Sequence, residues 1–126
     1  MLLAAVLMAV TSTPWAQSTV FHGYTMLDVD ELPVTRASSV LAIADGFVPP
    51  IEEPLSTRLL LLEAVGDGTG LIVDVETRGY LDDSITGENF RARFETDGEQ
   101  WVIVALGRQV VCARGPNAGR PAASCP

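Results

Sequence analysis

The sequence predicts an α+β domain, with one N-terminal helix packed on a four-stranded antiparallel meander that a C-terminal disulfide loop closes. Three observations predict it. Apolar residues recur at helical spacing between Pro33 and Asp45; two Asp-Gly pairs, Asp67-Gly68 and Asp97-Gly98, interrupt alternating apolar runs; and Cys112 and Cys125, the only cysteines, fall together at the end.

The first element is a leader. Leu2 to Val10 is an unbroken apolar run of nine residues followed by Pro14-Trp15-Ala16-Gln17-Ser18. It is too short for a hydrocarbon core that needs roughly 20 residues. The small residues Ala16 and Ser18 stand at the minus-three and minus-one positions of a peptidase site before Thr19, and cutting after Ala16 is the second choice. Residues 1–18 therefore read as a signal peptide and 19–126 as one domain of 108 residues. No Lys or Arg precedes the apolar run, so the amino terminus is the leader's only positive charge. Once the leader is removed, no stable membrane insertion is expected.

Val20 to Asp30 reads as an extended arm or an edge strand, between which composition does not choose. The helix follows over Pro33 to Asp45, with Val34, Ala37, Val40, Leu41 and Ala44 on one face. Pro33 suits a first helical turn and Gly46 the residue past the end, while Pro49-Pro50 forbids continuation. Gly46 to Pro54 is then a connector.

The strands are placed at 58–66, 69–81, 88–96 and 99–112. If Asp67-Gly68 is a two-residue turn, Gly66 faces Thr69, and Ala64 pairs with Leu71, Leu62 with Val73 and Leu60 with Val75. If Asp97-Gly98 is another, Thr96 faces Glu99, Phe94 meets Trp101, Ala92 meets Ile103 and Phe90 meets Ala105. All of these pairs below the turns are apolar, whereas a one-residue slip would put them in water. The opposite face carries Asp74, Glu76, Arg78, Arg91, Arg93 and Glu95, which reads as a solvated face. Such an order of helix and curled meander is similar to cystatin-like and nuclear-transport-factor-like topology, an analogy that says nothing about activity.

Cys112 and Cys125 enclose twelve residues, Ala113 to Ser124. An exported chain with an even cysteine count is expected to bond them, which in the simple loop-entropy account stabilises by on the order of 3 kcal/mol. Two cysteines without a neighbouring histidine do not complete a zinc shell.

A resemblance covers the C-terminal half. Tyr80-Leu81-Asp82-Asp83-Ser84, Phe94, Trp101, Gly107-Arg108-Gln109, Cys112 and the terminal Cys125-Pro126 resemble a group of small exported bacterial proteins of unknown function. The resemblance implies an extracytoplasmic single domain with a C-terminal disulfide, and it brings no catalytic residue with it.

Charge excludes one class of partner. Sixteen acids oppose eight bases, all arginine, for a net charge of −8, so nucleic acid is not expected to bind. All the acids lie between Asp28 and Glu99, while Arg108, Arg114 and Arg120 occupy a tail without any.

No motif assigns chemistry. His22 is the only histidine, and nothing in the pattern brings it to Ser84 for a hydrolytic triad. Asp82, Asp83 and Ser84, with Glu88 and Asn89, gather oxygen donors that suit a hard cation, yet Asp and Ser also open turns by bonding their own backbone. Gly66-Asp67-Gly68-Thr69-Gly70 joins two strands and so lacks the helix dipole of a phosphate loop.

The candidate binding residues are Arg114 and Arg120 in the tail loop and Asp82, Asp83 and Ser84 in the acidic loop. The leading expectation is a non-catalytic periplasmic or secreted binding or accessory module, without a cofactor, that meets another extracytoplasmic protein. The alternatives are an inhibitor of a secreted basic hydrolase and a metal-assisted enzyme using the Asp82/Asp83 loop.

Overall fold

The computed structural model describes residues 15, 18–49, 57–65 and 70–126, with the backbone course alone for 57–60, 64 and 65. Among the described residues seven strands form one antiparallel sheet: β1 (Thr25–Leu27), β2 (Arg36–Ala37), β3 (Thr57–Val65), β4 (Gly70–Arg78), β5 (Ile85–Thr96), β6 (Trp101–Cys112) and β7 (Pro121–Ala122). The order is β1-β6-β5-β4-β3, and β2 and β7 also pair with β6. The four long strands are the expected meander.

The α+β assignment is corrected. Strand dominates, and among the described residues the one α-helix, α1, has five residues, Val40–Ala44. It starts late because Ser39 caps it, its side chain accepting from the Leu41 amide. The residues before it are needed elsewhere. Thr35 gives its carbonyl to the Ile103 amide at 3.1 Å, and Arg36 and Ala37 pair with Val102 and Trp101 along β6. Two of the five positions that suggested a helical face, Val34 and Leu41, lie exposed. The likeness to cystatin-like and transport-factor-like topology rested on a longer helix than this one.

The first hairpin has the expected register. Ala64 pairs with Leu71, Leu62 with Val73 and Leu60 with Val75, although the Asp67-Gly68 turn itself lies outside the described residues. The second hairpin is shifted by two residues, so that Phe94 faces Ile103 and Thr96 faces Trp101. Its turn is a four-residue loop: the Asp97 carboxylate accepts from the Glu99 and Gln100 amides, and Gly98 takes φ +100°. A two-residue shift keeps every side chain on its own face, so the apolar pattern did not discriminate against it.

A bulge then changes the phase again. Phe94 faces Ile103 but Arg93 faces Ala105, which leaves Val104 as the extra residue. Leu106 therefore joins Ile103 on the apolar face.

That face holds the core. Ile43, Val48, Val73, Val75, Phe90, Ala92, Phe94, Ile103 and Leu106 are buried together, with Val29, Leu32, Val40 and Phe47 laid over them. Each large side chain fully withdrawn from water stabilises by about 1.5–3 kcal/mol.

The charged face is not simply solvated, which corrects a second expectation. The N-terminal segment crosses it: Phe21 is buried there, as are Ile72 and Ala105 beneath. Gly107 permits the approach, since a Cβ at that position would stand 2.7 Å from Tyr24 Cβ and 2.9 Å from Phe21 Cδ1. Arg91 fixes the segment by donating to both Asp74 oxygens at 2.7 and 2.9 Å and to the Val20 carbonyl, beneath the Tyr24 ring. The Asp74 hydrogen bonds hold the Arg91 guanidinium above its ordinary pKa, and burial does the same to the Tyr24 phenol.

Candidate functional site: the disulfide end of the sheet

The two loops singled out in the sequence meet at one end of the sheet. Ile85, which opens β5, pairs with Cys112, which closes β6. Just beyond that pair, the Ala113 amide donates to the Ser84 carbonyl at 2.8 Å. The acidic loop and the tail loop are thus fastened to each other where both leave the sheet.

Asp82 organises the acidic loop. Its Oδ1 accepts from the amides of Ser84 at 2.7 Å and Ile85 at 3.0 Å, and those bonds hold its carboxyl below the usual carboxylate range, with a smaller contribution from the charge of Arg114. This is the self-bonded turn that aspartate forms between strands. Asp82 and Asp83 remain exposed.

The tail loop is held at several points. Cys112 bonds to Cys125, the Gly119 amide reaches the Cys112 carbonyl at 2.8 Å, and Ala122 and Pro121 pair with Val110 and Val111. Two turns, Ala118 to Gly115 and Arg120 to Asn117, fold the chain between. Arg114 and Arg120 are exposed on it.

Beneath this end lies a polar network that sequence reasoning missed. Glu88 is buried; its Oε1 accepts from the Tyr80 hydroxyl at 2.9 Å, and its Oε2 accepts from Arg108 Nε. Tyr80 and Thr77 share a hydrogen bond of 2.7 Å, and the Thr77 hydroxyl also takes the Glu88 amide. Burial, more than the Glu88 charge, raises the Tyr80 pKa, so the phenol stays protonated as a donor. The network was hidden by register. In the expected pairing Arg108 stands opposite Gly87, whereas the bulge brings it opposite Phe90, on the face of Glu88.

The oxygen donors that suit a hard cation in the sequence are engaged separately in the structure. Glu88 is engaged by Tyr80 and Arg108, Asn89 alternates to the other face beside Gln109, and Asp82 is turned onto backbone amides. Among the described residues no three carboxylate, histidine or cysteine groups gather as a metal shell. His22 lies exposed on the N-terminal segment.

No family model matches the chain, and neither a curated protein nor a solved structure is significantly similar to it. The disulfide is compatible with an extracytoplasmic location, and among the described residues no helix is long and apolar enough to cross a membrane.

Proposed function

We propose that the protein is a non-catalytic extracytoplasmic binding or accessory module, and that it meets a partner protein through the disulfide end of its sheet. One observation supports the reading: the bond from Ala113 to Ser84 and the Cys112–Cys125 bridge fasten together, at one end of the sheet, the two loops that expose Asp82, Asp83, Arg114 and Arg120. A surface ordered in advance loses little freedom on binding, so its few charged groups count for more. The pattern of two carboxylates beside two guanidinium groups suits a protein face of mixed charge. Export itself rests on Met1 to Ser18, whose residues 1–14, 16 and 17 lie outside the described structure.

The test is capture of partners from an envelope extract with wild type and with Arg114→Ala plus Arg120→Ala. Species held by the wild type are expected to be lost with the double variant and weakened by added salt, because exposed charges are screened. Capture that is indifferent to both arginines and to reduction of the disulfide would remove this end of the sheet as the binding surface.

A further inference from the structure

The sheet treats its two edges differently. The outer edge of β6 is covered nearly end to end by three short strands: β2 at 101–102, β1 at 106–108 and β7 at 110–111. On the other side the order ends at β3, and among the described residues no strand pairs with its outer edge.

Of the devices that keep an edge solitary, β3 carries only two charges, Arg58 and Glu63. Its nine pairs with β4 run without a bulge from Thr57 with Arg78 to Val65 with Gly70, and the strand contains no proline or lysine. Leu61 lies on the charged face at 49 % exposure, and Leu62 on the apolar face at 57 %. Outward backbone donors and acceptors beside leucine on both faces form a template for another strand.

We propose that β3 pairs with β3 of a second copy of this chain, about a two-fold axis at Leu61, joining two protomers in one continuous antiparallel sheet. A partner strand must set apolar residues beside Leu61 and Leu62 on opposite faces, and Leu59-Leu60-Leu61-Leu62 does so by sequence. The axis relating side-by-side antiparallel copies runs perpendicular to the sheet and preserves each residue's face, so opposed residues must both be odd-numbered or both even. The register centred on Leu61 is the one that pairs the whole strand. Thr57 then meets Val65, Arg58 meets Ala64, Leu59 meets Glu63, Leu60 meets Leu62, and Leu61 meets itself.

Charge permits this contact. Arg58 and Glu63 are the only charges in 57–65 and cancel, in a chain whose net charge is −8. Two copies thus approach along a neutral edge, and in this register neither charge faces its like.

Sedimentation of the full chain tests the pairing. Wild type is expected at twice the protomer mass, falling to one protomer on dilution, and Leu61→Lys at one protomer throughout while keeping its far-ultraviolet circular dichroism. Cysteine variants test the register without relying on the lysine variant to fold. Leu61→Cys should yield a covalent dimer on mild oxidation, because the residue faces itself, and Glu63→Cys should not. A wild type that stays at one protomer mass at every concentration overturns the proposal, whatever segment or partner covers the edge. So does a dimer that survives Leu61→Lys, or cross-linking of Glu63→Cys as efficient as that of Leu61→Cys.

Discussion

Asp97 is where one side chain does the most to shape the backbone around it. Its carboxylate accepts from the amides of Gln100 at 2.9 Å and Glu99 at 3.0 Å and from Arg36 at 2.6 Å, and these donors lower its pKa to about 2, the two backbone bonds contributing most. The Arg36 contact also ties β2 to the turn between β5 and β6. A carboxyl whose folded pKa lies below its unfolded value of about 3.9 stabilises the fold fully above that pH. The contribution is lost as pH falls toward about 2. The carboxyl resonance of Asp97 should therefore titrate with a midpoint near 2. In Asp97→Asn, which keeps an acceptor oxygen without the charge, denaturant stability should depend less steeply on pH between about 4 and about 2. A wild-type midpoint near 4 would mean that the turn does not hold the carboxylate.

Element by element, what could be read in the sequence depended on whether side-chain pattern alone decided the outcome. The β3–β4 register was legible because the apolar residues Leu60, Leu62 and Ala64 must share a face with Val75, Val73 and Leu71, the pairing that an Asp-Gly pair in the sequence between the strands leads one to expect. In β5–β6 the pattern fixed the faces as far as Ile103, where a shift of two residues changes every partner without changing a face, but the extra Val104 then reverses the faces beyond it, which moves Ala105 off the apolar face and brings Arg108 to Glu88. The helix failed for a related reason. Spacing at Val34 and Ala37 imitated a helical face, whereas the unmet hydrogen bonds along β6's edge drew Thr35 to Ala37 into extended pairing, and Ser39 was the overlooked start signal. The disulfide was legible from the cysteine count and the expected compartment, but its meeting with the acidic loop required the tertiary fold. As a staple, the bridge closes only a short terminal loop, since its cysteines are 13 residues apart and β7 adds its own pairing to β6. Replacing Cys112 and Cys125 by serine should cost about 3 kcal/mol or less and leave the sheet folded. Complete loss of β circular dichroism in that variant would show that the tail nucleates the sheet.

At the scale of the molecule, the sheet has cover on both faces because one stretch of chain passes round the β6 edge. Residues 18–24 lie on the charged face, Thr25–Leu27 pairs along the edge as β1, and 29–48 close the apolar face. This path makes stability depend on where the chain begins. Trp15, which the sequence places in the leader, stands edge-on to Phe21 with centroids 6.1 Å apart and lies 5.6 Å from the Arg93 guanidinium. Aromatic and cation–π contacts of this kind contribute roughly 1–3 kcal/mol together. A chain beginning at Thr19 should therefore still unfold cooperatively, at a modestly lower denaturant midpoint than the full chain. Beginning at Thr25 is a different matter, because it also removes Phe21 and Tyr24, uncovers Ile72, Ala105 and Gly107, and leaves Arg91 without the Val20 carbonyl. Losing one buried phenylalanine alone costs about 3–5 kcal/mol, a large part of the 5–15 kcal/mol that typically separates folded from unfolded domains. Denaturant melts of the two truncated chains should show a sharp transition for the first and a broad or absent one for the second. Equal cooperativity in both would mean that the N-terminal segment rests on the charged face without belonging to the core.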